Sequence, residues 1–212
     1  MTPAPLRDRL TAGAAHLAVP LSATAADTLI AYLGLLQKWN RVYNLTAIRD
    51  AEQMLTHHLL DSLAVSPHVR GTRLLDVGSG AGLPGLVVAV VRPEVHCTLL
   101  DSNGKKTRFL TQACIDLKIA NAEVVHSRVE TFRPPVTFEC IVSRGFTALG
   151  AFIAAAGRLL APDGELLAMK SVRSDEEIET VPAGWETRTV RLDVPGLNAV
   201  RRLVVARRAA SR

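Results

Sequence analysis

The stretch LLDVGSGAGLPG, residues 74–85, runs from an apolar segment through an aspartate into glycines at 78, 80, 82 and 85. With the apolar GLVVAVV that follows, it reads as strand, tight turn and helix. Such a loop lets backbone approach something polar, and three ligands compete for it: a dinucleotide's pyrophosphate, a nucleoside triphosphate, and an adenosine cofactor without phosphate. The triphosphate reading fails, because no Lys-Ser/Thr pair follows the last glycine. The dinucleotide reading keeps a formal match, since Gly80-Ala-Gly82-Leu-Pro-Gly85 fits GxGxxG. Two features count against it. The glycines also fit an earlier register, Asp76-Val-Gly78-Ser-Gly80-Ala-Gly82, whose carboxylate repels a pyrophosphate but can pair with an ammonium or hold a water. Pro84 stands in the early helix, where a dinucleotide site needs free N–H groups. S-adenosylmethionine, an amino acid and a sulfonium with no phosphate, suits the loop better.

The next strand, TLLD, ends at Asp101. A carboxylate there can accept from both ribose hydroxyls, in NAD and S-adenosylmethionine sites alike, so it supports adenosine without choosing the cofactor. With Ser102, Asn103 and Gly104 it also reads as an ordinary strand-end turn. After the third strand comes SRVE, where Val129 can pack on an adenine ring and Glu130 or nearby backbone can meet its amino group.

From Arg73 onward, apolar runs alternate with helical stretches: RLLDV then LPGLVVAVV, VHCTLLD then KKTRFLTQACIDL, AEVVHS then a short turn, FECIVS then ALGAFIAAAGRLL, ELLAMK then SDEEIETV. Strict alternation predicts a doubly wound parallel sheet. ETRTVRLDV, the PGLN turn and RRLVVARR predict an antiparallel pair closing it. Ahead of the sheet the chain reads as all-helical. Residues 1–19 predict one helix, and Ser22 caps a second running through AADTLIAYLGLLQKW with Leu29, Leu33 and Leu36 on one face. NRVYNLT reads as a turn. Asp50 opens a third helix with Gln53 at the capping-box position and Met54, Leu55, His58, Leu59 and Leu63 on a common side. The expected organisation is a helical extension over 1–68 and a cofactor-binding domain over 69–212.

The 212 residues are 48% hydrophobic but only 4% aromatic, so aliphatic side chains must fill the core. A net charge of +5 fits a polyanionic partner such as nucleic acid, although many solvated surfaces are basic too. Cys97, Cys114 and Cys140 form no CxxC, and the six histidines show no metal spacing, so no metal is expected. Cys97 and Cys140 fall inside strand-like runs and read as buried small hydrophobes. MTPAPLRDRL lacks the build of a signal peptide, and GLVVAVV is too short to span a bilayer. The expected setting is cytoplasmic, with no membrane and with a monomer as the default.

WNRVYNLTAIRD, HHLLDSLAV, LLDVGSGAGLPG, TLLDSNGKKTRFL and IVSRGF occur in that order. Together they resemble the bacterial small-subunit rRNA guanine-N7 methyltransferases, the glucose-inhibited division protein B family. The resemblance covers the chain from about Leu29 to the C-terminal strands. It implies an α/β, Rossmann-like class I S-adenosylmethionine-dependent methyltransferase fold with a mostly parallel seven-stranded sheet, the last strand antiparallel. It implies methyl transfer to N7 of a guanine in 16S ribosomal RNA, guanine 527 in the 530 loop, presented on RNA or on the small ribosomal subunit. It places the cofactor on Gly78, Leu83, Asp101, Ser102, Val129, Glu130 and Arg144. Many relatives carry alanine where Gly145 stands and phenylalanine where Leu83 stands. The glycine leaves the turn after Arg144 freer, and neither change removes a polar contact.

The chemistry is consistent with that target. Enzymes acting on exocyclic amines often carry Asn/Asp-Pro-Pro-aromatic after the fourth strand, where this chain has Ser143-Arg144-Gly145-Phe146. Cys140 lies within a strand, not at its mouth, so the nucleophile used for pyrimidine C5 is missing. Guanine N7 offers an in-plane lone pair and no proton, so no general base is needed. Arg144 is expected to orient the cofactor and meet RNA, and Lys170 to neutralise a phosphate. His57 and His58 read as packing or solvent groups. Lys105, Lys106 and Arg108, with Lys38, Arg41 and Arg49, are candidate phosphate contacts, whereas Arg201, Arg202, Arg207 and Arg208 read as a solvated face. Two rivals remain: an NAD-type oxidoreductase, resting on GxGxxG plus Asp101, and a non-catalytic RNA-binding protein on a vestigial cofactor fold.

Overall fold

The computed structural model describes residues 3–146, 148–171 and 181–209. Its strands are β1 (Arg73–Val77), β2 (His96–Asp101), β3 (Ala122–His126), β4 (Phe138–Ser143), β5 (Leu160–Ser171), β6 (Trp185–Leu192) and β7 (Arg201–Arg208). They form one sheet in the order β3-β2-β1-β4-β5-β7-β6. β1 pairs in parallel with β2 and β4, and the parallel set extends to β3 and β5. β7 runs antiparallel to both β5 and β6. Helices cover both faces of the central strands, which is why β1 buries Leu74, Leu75, Asp76 and Val77 in succession. Strand order reverses between β1 and β4, and a crevice opens beyond their carboxyl ends.

The helices are α1 (Pro3–His16), α2 (Ala23–Tyr43), α3 (Ala51–Met54), α4 (Asp61–Leu63), α5 (Gly85–Val91), α6 (Gly104–Asp116) and α7 (Leu149–Ala156), with a π-helical stretch Leu55–Leu60 joining α3 to α4. The expected caps form: Ser22 Oγ accepts from the Ala25 N–H at 3.1 Å, and Asp50 Oδ1 from that of Gln53 at 2.9 Å. Leu29, Leu33 and Leu36 are buried, as are Met54, Leu55, His58, Leu59 and Leu63. Burial around the third helix goes further, to Leu60, Asp61 and Ser62, leaving His57 half-buried.

Two readings differ and a third falls outside the described residues. Asn40–Tyr43 continue α2 instead of turning, and the chain breaks only at Asn44, in the left-handed region with φ 50°. Asn40 does have turn chemistry, but it reaches across to the next loop: Oδ1 accepts from the Thr46 N–H at 2.9 Å and Nδ2 donates to the Ile48 carbonyl at 3.2 Å. Leu160, expected to end a helix, opens β5 by pairing with Phe138, after which the register shifts. The helix expected over SDEEIETV lies outside the described residues, apart from Val181.

The N-terminal helices share one apolar cluster with the sheet. Leu6 and Leu10 of α1 and Leu29, Leu33 and Leu36 of α2 join Leu86 and Val87 of α5 and Phe109 and Leu110 of α6. Tyr32 and Trp39 close on Phe109, with ring centroids 6.3 and 5.6 Å away. On the opposite face a second cluster packs α7 against β4 and β5 through Phe152, Ile153, Ile141 and Leu166. Cys97 and Cys140 are free and fully buried, and burial pushes the Cys140 thiol up to about 12.

Candidate active site

At the carboxyl ends of β1, β2 and β4 lies a cavity of about 230 Å³. Gly78, Asp101, Ser102, Val129 and Glu130 all line it, joined by Ser127, Arg128, Ser143, Gly145 and Phe146. Gly78 leaves β1 with φ 70°, a conformation that favours glycine, and its N–H donates to the Leu100 carbonyl at 2.8 Å. A Cβ at Gly78 or at Gly145 would meet nothing within 4 Å, so both positions stand open on the cavity side. Gly85 is a packing glycine instead: a Cβ there would lie 2.5 Å from Leu99 Cδ2 and 2.7 Å from Asp76.

Asp101 ties the cavity together. Its Oδ2 accepts from the Gly80 N–H at 2.8 Å and its Oδ1 from the Asn103 N–H at 2.8 Å, which fixes the carboxylate at the rim. Each oxygen keeps acceptor capacity for a further donor. Asn103 then caps α6, accepting from the Lys105 N–H at 2.9 Å. Asp76 sits beneath the loop, fully buried, with Oδ2 accepting from the Gly85 N–H at 2.8 Å and Oδ1 without a hydrogen-bond partner. Burial pushes its carboxyl up to about 7, against the bond from Gly85, which favours the charged form. Asp76, expected to meet an ammonium or a water, thus lies beneath the loop. The Leu86 N–H is also taken, by the Gly82 carbonyl at 2.9 Å. The start of α5 thus has its first donors engaged within the protein.

The loop after β3 is held from outside by Arg158. Its Nη2 donates to the carbonyls of Val129 at 2.5 Å, Phe132 at 2.8 Å and Glu130 at 3.3 Å. Arg133 adds bonds to Glu130 and Phe132. Val129 is 7% exposed and joins the apolar cluster that contains Val77 and Leu100.

The other expected site residues lie elsewhere. Leu83 does not line the cavity. It is buried in the apolar cluster beneath the loop, next to a cis Leu83–Pro84 peptide, because its own N–H is turned onto the Ser79 carbonyl. Arg144 does not line the cavity either, although its neighbours on both sides do: its Nη1 donates to the His57 carbonyl at 3.2 Å and lies 3.6 Å from Asp61. Lys170 is buried at the end of β5, and its Nζ donates to the Phe146 carbonyl at 2.7 Å, behind the turn that leaves β4. The expected phosphate contact at Lys170 is replaced by this internal bond.

Three of the four terminal arginines are not a plain solvated face. Arg201 binds Asp61, Arg207 pairs with Glu186, and Arg208 donates to the carbonyls of Gly157 and Ala161 while covering Trp185. Lys105 and Arg108 stay exposed at the start of α6. Two functional contacts had no local sequence signal. Arg158 reaches carbonyls 26 to 29 residues away, and the Tyr32 hydroxyl donates to the Ala81 carbonyl of the glycine loop at 2.6 Å across 49 residues. Ser143 could be found, since SRGF stands out; its Oγ donates to the Val77 carbonyl at 2.8 Å and so ties β4 to β1.

Solved structures share this sheet. TrmN from Thermus thermophilus superposes with a TM-score of 0.57 at 16% identity, over 73% of this chain and 53% of that one. The ribosomal protein L11 methylase of Lactobacillus delbrueckii subsp. bulgaricus gives 0.56 at 14% identity, over 76% and 80%. The fold is therefore that of the class I, Rossmann-like methyltransferases. Within that class, the family model "GidB: rRNA small subunit methyltransferase G" matches residues 25–205. Ribosomal RNA small subunit methyltransferase G of Pseudomonas paraeruginosa is 49% identical over 205 residues, 96% of each chain. Its counterpart in Ralstonia nicotianae is 49% identical over 209 residues, 94% of each. This chain belongs to the rRNA small subunit methyltransferase G family. Among the described residues, no helix is long and apolar enough to cross a membrane and no group of three metal-ligating side chains occurs.

Proposed function

We propose that this chain transfers a methyl group from S-adenosylmethionine to N7 of a guanine in 16S ribosomal RNA. The observation that carries the reading is the cavity beside Asp101, combined with a helix start whose first amides are already bonded. Gly85 N–H is taken by Asp76 and Leu86 N–H by Gly82, so α5 has no free amide there for a pyrophosphate. A phosphate-free adenosine cofactor fits this donor set, and NAD does not. Open space at Gly78 and Gly145 and the fixed carboxylate of Asp101 fit it as well.

When bound, S-adenosylmethionine supplies an electrophilic methyl on its sulfonium. Asp101 accepts from the ribose hydroxyls with a carboxylate already oriented by Gly80 and Asn103, so little ordering is lost on binding. Val129 offers an apolar surface to the adenine, and the chain at Glu130 offers polar groups to its edge. Ser102 lies beside Asp101 at the cavity rim. Arg144 stands between the glycine-loop side and the N-terminal helices, where its charge favours an anion: the cofactor's carboxylate or an RNA phosphate. Lys170 fixes the turn at Phe146. Leu83 supports the loop from within the core. No residue has to remove a proton from N7; the protein's task is to hold that lone pair in line, roughly 3 Å from the methyl carbon. The target must be unpaired or looped out, because N7 lies in the deep, narrow major groove of A-form RNA. Exposed Lys105 and Arg108, next to the cavity edge at Ser102, supply phosphate contacts that make binding salt-dependent.

Isothermal titration with S-adenosylhomocysteine and, separately, NADH tests this reading. The expected result is binding of the first alone, weakened about tenfold or more by Asp101→Ala, a loss of at least about 1.4 kcal/mol. Binding of NADH, or of neither, overturns it.

A further inference from the structure

Two of the stretches that carry the family resemblance do not line the cavity. HHLLDS, residues 57–62, and WNRVYNLT, residues 39–46, lie behind Arg144 and are joined to each other: Thr46 Oγ1 is 2.9 Å from His58 Nε2. At the end of this network Asp61 is 1% exposed yet lies between two guanidiniums. Its Oδ1 accepts from Arg201 Nε at 2.9 Å, and its Oδ2, which has no hydrogen-bond partner, lies 3.6 Å from Arg144 Nη1. A carboxylate is costly to bury unless it is paired, so this one is bound to its arginines.

Around Arg144 the backbone is already fixed. Ser143 Oγ is bonded to the Val77 carbonyl at 2.8 Å and to the Gly145 N–H at 3.2 Å, and Lys170 holds the Phe146 carbonyl. What remains to be set is the direction of the Arg144 side chain, which carries about 2 kcal/mol of rotamer entropy. Among the described residues, the groups the structure places within 4 Å of its guanidinium are the His57 carbonyl and Asp61.

We propose that Asp61 is a positioning residue for methyl transfer, holding Arg144 in one orientation beside the glycine loop without touching either substrate. The proposal rests on the reading of Arg144 as the residue that meets cofactor and RNA. It also gives the N-terminal helices a part in the reaction, because Asp61 enters the site from them and not from the sheet. Arg201 of β7 pairs with the other oxygen of the carboxylate and stands outside this unit.

Asp61→Asn keeps the shape and removes the charge. Expected is a single-turnover methylation rate on 16S rRNA lowered about tenfold, with the Kd for S-adenosylhomocysteine within about threefold of wild type. Asp61→Asn combined with Arg144→Ala is expected to be no slower than Arg144→Ala alone, because both changes remove one unit. Arg201→Gln, which leaves Asp61 on Arg144, is expected to keep at least about half the rate. A wild-type rate for Asp61→Asn, rate losses that multiply in the double variant, or an Arg201→Gln variant as slow as Asp61→Asn would overturn the proposal; the last result would make Asp61 a clamp between helix and strand. Should Asp61→Asn not fold, Asp61→Glu, which keeps the charge but displaces it, is read in the same way. An Arg144→Ala variant that methylates at the wild-type rate overturns the reading of Arg144. A slow Arg144→Ala beside an unaffected Asp61→Asn overturns only the role of Asp61.

Discussion

His58, against Thr46, and Asp76, beneath the glycine loop, are both buried, and burial works on them in opposite senses. Burial first, and the charge of Arg144 second, lower the His58 imidazole from 6.5 to about 4. The unfolded chain takes up the proton near 6.5 and the folded chain near 4, so the stability from neutral His58 is complete above 6.5 and lost as pH falls through that window. The loss approaches about 3 kcal/mol. Because Asp76 opposes it over the same range, His58→Gln is expected to lower the urea unfolding free energy at pH 7 minus that at pH 4.5 by about 3 kcal/mol relative to wild type; an unchanged difference would show that His58 does not carry it. Asp76, raised from 3.8 to about 7, runs the other way: its contribution is full below 3.8 and lost as pH rises toward 7. At this scale the sequence was informative wherever a residue's role depends on its near neighbours. Gly78 needs a positive φ, and Asp101 caps a turn two residues on. Arg144 was legible as a special residue, but not its partner, since Asp61 is brought to it by tertiary packing across 83 positions of the chain.

Among the elements, the loop after β3 depends on a distant support. Arg158, between α7 and β5, gathers three of its carbonyls and thereby sets the wall of the cavity at Val129 and Glu130. Arg158→Gln cannot reach all three. It is expected to raise the Kd for S-adenosylhomocysteine about three- to tenfold while kcat at saturating cofactor stays near wild type, as for a change that removes uniform binding. An unchanged Kd would show that the loop holds its shape alone. Strands other than β5, which starts five residues ahead of the expected ELLAMK, were legible to within a residue or two because buried strands read as short apolar runs. Helix ends were less so. Asn40 looks like a turn residue and is one, but for the Thr46–Ile48 loop, so α2 passes through it. The π-helical stretch Leu55–Leu60 shows little sequence periodicity, because every residue of it but His57 is buried.

Across the whole molecule, the helices of residues 1–68 and the sheet share one apolar cluster, and Tyr32 reaches from α2 to the glycine loop. Residues 69–212 alone would expose the faces of α5 and α6 that Leu29, Leu33 and Leu36 now cover. That piece is expected to lose cooperative thermal unfolding and to aggregate; a sharp, reversible transition would show that the sheet folds unaided. The composition foretold a core built from aliphatic side chains and a basic surface. It gave no sign that the C-terminal arginines serve the fold, because their partners Asp61, Glu186 and the α7–β5 carbonyls are assembled only in three dimensions.

The most direct test of methyl transfer to guanine N7 is to incubate the full chain with methyl-labelled S-adenosylmethionine and 16S rRNA, then map the label by reduction and aniline cleavage, which cuts at N7-methylguanine. The predicted result is one labelled guanine, with the label lost in Asp101→Ala. Label at another atom, or none in RNA whether free or in small subunits, would contradict it.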